Sequence, residues 1–450
     1  MNGERTPIKI TSSPTREQLL DAALLRDTEG FVSLKEEWDD LYKDCPSATP
    51  FSSWEWLYSW WEHYGEGTYK LRLITLRDAN SGLLVGLLPL MARRGRLLLL
   101  GDKAKALFWY VTTPYKDVLI REGWEEAVAE AGAHALMEMG GWHVADLQEL
   151  MPHSAAWALF GAWQGPKVTL PITDYLLMDA KPWEELLASL SRRLRKTARR
   201  TLRGAQQDGV RCEPAAPEDA ERAANTLVRL HRELWRGRRI DPEDLTPRYE
   251  AFMRAAARRT SERGIGRVSE FRRQSDGEVL VSQFLLFDED FVGAYVTGAR
   301  EEASRRYQLE TLTNWDAVEV ARSRGSEYVS MMFHASWDKL RWASKVVSSH
   351  RAILGRSKVL WVPYAGYHLA RDRYYATRSK AQVYVHSEDA PPWIKSATKK
   401  YYELVLYPYS EDAPPWVRSA TDKYYALRAR YGYGWLRYRL ELARVRRQLH

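Results

Sequence analysis

Three short stretches carry side chains whose types and spacing suit chemistry. The loop His334-Ala335-Ser336-Trp337-Asp338-Lys339 follows an apolar run at 328–333 and sets a histidine four residues before a carboxylate. An imidazole at a strand end titrates near neutrality and suits general-base work; a hydrogen-bonded structural histidine is the competing reading. Ser304-Arg305-Arg306-Tyr307 leads into a helical pattern over 309–322 that stops at Gly325. Its guanidinium groups either bind phosphate through their side chains or form an exposed basic turn. The third stretch, 192–203, holds seven basic residues in twelve, Arg192, Arg193, Arg195, Lys196, Arg199, Arg200 and Arg203, with no acid among them. It reads as a solvated helix face or as a contact for a polyanion. Other chemistries find no support. Cys45 and Cys212 alone give neither a disulfide framework nor zinc spacing, no His or acid cluster has metal spacing, and no Ser/His/Asp set stands in triad order.

The elements that must position these groups repeat along the chain. Around the histidine loop the order is strand (284–287), strand (291–296), helix (309–322) and strand (328–333). Upstream, Leu186, Leu190, Leu194, Ala198 and Leu202 recur every four residues, which predicts one helix over 183–203, closed by Gly209. Helices are expected at 217–235 and 247–263, then strands from 266 with a turn at Asp276-Gly277. The first half reads alike. A short helical piece is expected at 16–25, and Leu34, Trp38, Leu41 and Tyr42 share one helix face until the break at 45–50. A Trp-rich helix follows, capped by Ser52 or Ser53 and closed by Gly65. Its indoles at 54–61 read as core rather than as a stacking platform. Strands at 70–76, 83–90 and 96–100, a helix at 124–139 and a strand at 142–147 complete the series. An α/β class with internal duplication is the simplest account.

Composition bounds the rest. The 450 residues are 45% apolar and 12% aromatic, enough for a large core, and the formal charge of +8 fits a polyanionic partner. The N-terminus lacks a signal-peptide core, and no apolar run has the roughly 18–20 residues that span a bilayer, so a cytoplasmic location is expected. The last part of the chain is different material. Residues 387–405 and 410–428 are identical at 14 of 19 positions, each opening on Ser-Glu-Asp-Ala-Pro-Pro-Trp, which marks a tandem duplication of a cap-plus-helix unit. The basic helix expected at 431–450 either lies on a membrane surface or packs on the body.

Phe51-Ser52-Ser53-Trp54-Glu55-Trp56-Leu57, with Trp60-Trp61 and Tyr64-Gly65, resembles the entry of a GNAT-type acetyltransferase family of the cellulose-biosynthesis (CelD/BcsL) kind, related to Fem-type peptidyltransferases. Five further pieces fit in order: 82–90, 146–154, the basic helix 191–203, Leu230-His231-Arg232-Glu233-Leu234-Trp235, and Asp338-Lys339-Leu340-Arg341-Trp342. The last looks like the family's Tyr-Lys-x-x-Trp element, with Asp338 in place of tyrosine. The resemblance implies two tandem GNAT-like domains of mixed sheets flanked by helices, at 31–170 and 171–355, after a polar leader (1–30) and before a helical extension (356–450). It further implies acyl transfer from acetyl-CoA or another acyl-CoA to a small-molecule amine, an amino sugar or envelope precursor, without a metal. Lys339 matches the family's lysine and would steady an oxyanion or phosphate, and Asp117 resembles an acid carried after a strand of the first domain. Gln308 stands where the family has the glycine of its CoA pyrophosphate loop, which leaves Arg305 and Arg306 as the phosphate-binding candidates. Because that glycine is missing, two rivals stand beside the leading expectation. One is a Fem-like transferase using aminoacyl-tRNA; the other is a non-catalytic scaffold on a degenerate fold. The polyanion contact at Arg192–Arg203 would suit CoA phosphates, a tRNA acceptor stem or anionic lipid, and peripheral attachment to the inner membrane face is a further expectation.

Overall fold

Successive side chains along a strand point to opposite faces, and this alternation divides the protein's core into layers. In the computed structural model, which describes residues 5–8, 19–102, 113–236, 242–333 and 337–370, Leu73 and Leu87 face one layer, whereas their neighbours Ile74 and Leu88 face the other. Phe284 and Leu286 likewise oppose Leu285 and Phe287.

The first half runs β1 (Arg5–Ile8), β2 (Leu20–Leu25), α1 (Thr28–Ser33), α2 (Lys35–Lys43), α3 (Trp54–Trp60), β3 (Lys70–Asp78), β4 (Leu84–Arg93), β5 (Arg96–Leu99), β6 (Leu119–Ile120), α4 (Glu125–Met139), β7 (Val144–Leu150) and α5 (Ala156–Ala162). β8 (Lys167–Asp179) closes the first half, and the second runs α6 (Trp183–Ser189), α7 (Arg192–Gln207), β9 (Val210–Pro214), α8 (Ala220–Leu234), α9 (Pro247–Arg263), β10 (Gly266–Arg273), β11 (Val279–Phe287), β12 (Val292–Ala299), α10 (Glu301–Arg306), α11 (Leu309–Arg324), β13 (Tyr328–Ser330), α12 (Trp337–Leu340) and β14 (Lys345–Gly355). Residues 358–370 form α13. In each half an antiparallel meander (β3-β4-β5; β10-β11-β12) crosses by a helical connection (α4; α10 and α11) to a parallel strand (β7; β13). The same order in both halves gives a large mixed sheet flanked by helices.

The described strands make one sheet in the order β1-β2-β3-β4-β5-β7-β14-β8-β13-β12-β11-β10-β9, with β6 against β4. Its centre is an exchange. β8 leaves the first half to pair β13 of the second, while β14 leaves the second half to pair β7 of the first. β8 and β14 then pair each other from Lys345↔Leu177 to Leu354↔Lys167. One face of the sheet carries a core shared by both halves, in which Trp38, Trp56 and Trp60 are fully buried. Truncating such a ring costs about 3–5 kcal/mol. The Trp-rich segment is therefore core.

Two expectations change. The helix predicted over 183–203 is broken at Leu190-Ser191, because the Ser191 hydroxyl accepts from the Leu194 N–H and starts a new helix. Residues 20–25 form β2 rather than a helix: the outer edge of β3 offers them a full ladder from Leu20↔Asp78 to Leu25↔Leu73. The 387–405 and 410–428 repeat and the 431–450 segment lie outside the described residues. The chain divides into two units, one spanning 1–234 and 247–372, the other 235–246 and 373–450. In the second, the described part holds a single helical turn, Pro242–Leu245.

Candidate active site

The parallel strands β12 and β13 share one registered pair, Gly293↔Ser330. Beyond it the chain of β13 turns toward β8, where the Met331 N–H donates to Leu176 O (2.8 Å), while β12 continues along β11. A wedge between parallel strands results. Gly293 sits at its apex for a steric reason: a Cβ there would lie 2.1 Å from Met332 Cε and 2.8 Å from the Phe291 ring. Met332 itself has φ +60°, a left-handed conformation that costs a non-glycine residue of order 1–3 kcal/mol.

Two more left-handed residues adjoin it, Tyr115 (φ +51°) and Glu149 (φ +61°). The Tyr115 hydroxyl bonds Ser330 Oγ at 2.7 Å, and Ser330 Oγ accepts from the Met332 N–H at 3.2 Å. The Tyr115 ring meets Tyr175 (4.7 Å) and Phe291 (4.9 Å). Tyr175, Thr173 and Ser349 all donate to the buried Glu149 carboxylate, at 2.8, 2.8 and 2.7 Å. Burial raises the phenols of Tyr115 and Tyr175, so both stay protonated donors. Strain and buried polar groups thus gather where the exchanged strands meet the wedge. Sequence reading passed over Tyr115, Glu149, Tyr175 and Ser330; the one available signal was a serine in the middle of the apolar run 328–333.

Lys339, on α12, closes the far side. Its ammonium donates to Met331 O (2.8 Å) and Phe333 O (3.0 Å), which holds the turn after β13 in place. Burial lowers its pKa from 10.5 to about 8, opposed by the charge of Glu310 in the first turn of α11. Lys339 and the start of α11 are thereby brought together. His334 lies outside the described residues. Asp338 is placed in the backbone of α12, and its side chain is likewise outside the description.

The other candidates sit elsewhere. Gln308 is the N-cap of α11, but its N–H donates to Thr201 Oγ1 on α7 (3.3 Å), and its side chain accepts from Thr311 (2.9 Å). Arg305 pairs with Glu301, while Arg306 and Tyr307 both bind the Asp208 carboxylate. These bonds hold Asp208 below the usual carboxylate range. Asp117 is buried and saturated with donors. Ser47, Ser154, and the N–H groups of Val118, Ala155 and Ala156 all point at it, so that it ties the start of α5 to the β6 segment. Burial pushes its carboxyl up, and these hydrogen bonds pull it down.

Cations are least compensated along α7. An open groove of about 750 Å³ is lined by Trp183, Arg192, Arg195, Lys196, Arg199 and Arg203, with Glu184 its only acid. Arg199 pairs with Glu184, whereas Arg192 and Lys196 have no acid partner among the described residues. The apolar side of the same helices, Leu186, Leu190, Leu194 and Ala198, packs on Ala317, Val318 and Ala321 of α11. The groove is thus fixed to the helix that bounds the wedge. Among the described residues no cluster of His, Cys, Asp and Glu has the form of a metal site, and no helix is long and apolar enough to cross a membrane.

A family model described as an acetyltransferase (GNAT) domain matches residues 192–337, from the start of α7 to α12. No curated protein matches the chain. Among solved structures it is similar to FemX (13% identity, 71% of this chain and 95% of that one, TM-score 0.46) and to L-PGS from Bacillus licheniformis (11%, 73% and 93%, 0.46). It is also similar to a tandem GNAT protein from the clavulanic acid biosynthesis pathway (13%, 74% and 98%, 0.37).

Proposed function

We propose that the protein is an N-acyltransferase that moves an acetyl or longer acyl group from a CoA thioester to an amine. The observation that carries this reading is the β12/β13 wedge, pinned by Gly293 at its apex and by Lys339 at the turn after β13. The wedge lies inside the segment matched as an acetyltransferase domain. An acyl chain laid between the parting strands has its carbonyl shielded from water. The amine nitrogen attacks that carbonyl, the C–N bond forms as the C–S bond breaks, and the sulfur leaves as a thiolate. In this reading His334 takes a proton from the amine nitrogen as the C–N bond forms, and Asp338 orients His334. Lys339 positions the strand end, and Asp117 positions the first-half wall.

The phosphates of the donor need a seat. At the start of α11 the Thr201 hydroxyl already occupies the Gln308 N–H, and Arg306 is held by Asp208. The α7 groove, with Arg192 and Lys196 uncompensated, suits phosphates better. Arg305 lies one helix away and would serve only if it left Glu301. The same observation favours a second reading, in which the donor is an aminoacyl ester of tRNA and the α7 cations follow its backbone. Calorimetric titration of the full chain with CoA, acetyl-CoA and total tRNA separates the two. Heat with a CoA species that is lost in Arg192→Glu/Lys196→Glu supports the first reading. Heat with tRNA alone supports the second, and silence with all three removes both and leaves a scaffold.

A further inference from the structure

Helix α13 is apolar on both sides. Its inner side packs Trp361, Tyr364 and Leu369 on Val144, Leu170 and Ile353. A buried polar lock holds it there: the Tyr364 hydroxyl donates to Asp146 Oδ2 (2.5 Å), and the Arg351 guanidinium reaches Asp146 (2.7 and 3.0 Å) and His368 Nδ1 (2.7 Å). Its outer side shows Val359, Leu360, Val362 and Tyr367 to solvent, at 79, 47, 55 and 53% exposure. A helix apolar all round is normally buried all round, and a contiguous exposed apolar face marks a docking surface.

The charge beside this face identifies what docks. Between Asp338 and Asp372 the sequence has no Asp or Glu. At the N-terminal end of α13 the Arg356 N–H donates to His143 O (3.0 Å), and the His143 N–H donates to Gly95 O (2.7 Å). The chain entering α13 is thereby tied through His143 to the β4–β5 turn, which carries the exposed Arg94, and Lys358 is exposed in the first turn of the helix. An apolar helix face with a cationic rim is complementary to a surface that is apolar within and anionic at its edge. A second copy of the chain would instead set one cationic rim against another. We propose that the outer face of α13 docks on anionic phospholipid bilayers. Val359, Leu360, Val362 and Tyr367 enter the boundary between headgroups and acyl chains, and Arg94, Arg356 and Lys358 lie at phosphate level. The proposal stands apart from the reading of the transferase site.

The test is co-sedimentation of the full chain with large vesicles of phosphatidylcholine alone or with about a third phosphatidylglycerol, at low and high salt. The expected result is binding to the anionic vesicles, at least tenfold weaker in Val359→Asp/Val362→Asp. In Arg94→Glu/Lys358→Glu the preference for phosphatidylglycerol and the salt dependence are both lost. All four substituted positions are exposed, and an unchanged melting temperature verifies the fold. Equal binding by wild type and the Val359/Val362 variant overturns the proposal, as does failure to bind anionic vesicles. A dimer in light scattering that the Val359/Val362 variant dissociates also overturns it, in favour of a second copy.

Discussion

Replacing Lys339 by methionine removes an ammonium while keeping most of the volume, and the consequence is read most cleanly as a function of pH. Burial lowers the Lys339 pKa from 10.5 to about 8. A lowered lysine pKa means that the unfolded chain holds the proton over a range in which the folded one has released it. Stability from this group is therefore present above about pH 10.5 and is lost as the pH falls through about 8. The span of about 2.5 units corresponds to about 3 kcal/mol at 1.36 kcal/mol per unit. The assay is urea unfolding of wild type and Lys339→Met at pH 7, 8, 9 and 10.5. Other titrating groups cancel in the difference between the two proteins. Wild type should gain about 3 kcal/mol on the variant between pH 7 and 10.5, with most of the rise above pH 8. A flat difference would refute the reasoning, because it would mean that the ammonium does not sit buried against the Met331 and Phe333 carbonyls.

Further consequences concern the wedge and its walls. Asp117→Ala strips acceptors from buried N–H groups at the start of α5, each worth about 1–3 kcal/mol, and should lower stability by roughly 3–5 kcal/mol in thermal or urea unfolding. Asp117→Asn keeps one acceptor oxygen and should lose about half of that; equal losses would argue against the donor count. Gly293→Ala forces a Cβ onto Met332 Cε and should cost about 1–3 kcal/mol, with partial recovery in Gly293→Ala/Met332→Ala. No recovery would place the strain elsewhere. Tyr115→Phe and Ser330→Ala remove the two ends of one 2.7 Å bond, so a double-mutant cycle should show coupling of about 1 kcal/mol, and additive losses would deny the bond.

The sequence by itself determined the elements and their repeat. Short apolar runs such as 284–287 became strands, the four-residue spacing of Leu186, Leu190, Leu194 and Ala198 became a buried stripe, and Gly325 stopped α11 in a left-handed C-cap (φ +78°). These are local properties, fixed by side-chain periodicity and backbone sterics. The break at Ser191 was also local, but a cap and a helix interior look alike when the leucines on both sides keep their spacing. Only the tertiary structure decided that β8 and β14 trade places between the halves. Strand pairing is non-local, and the choice depends on which edges the two meanders leave open. It likewise decided which charges are spent. Arg306 and Arg192 are equal in a sequence, yet Asp208, 98 residues from Arg306, neutralises one and no acid among the described residues reaches the other. The chemistry-bearing residues Tyr115, Glu149, and Ser330 with Lys339 come from three separate stretches. Their meeting at the wedge follows from strand order, which no spacing along the chain records.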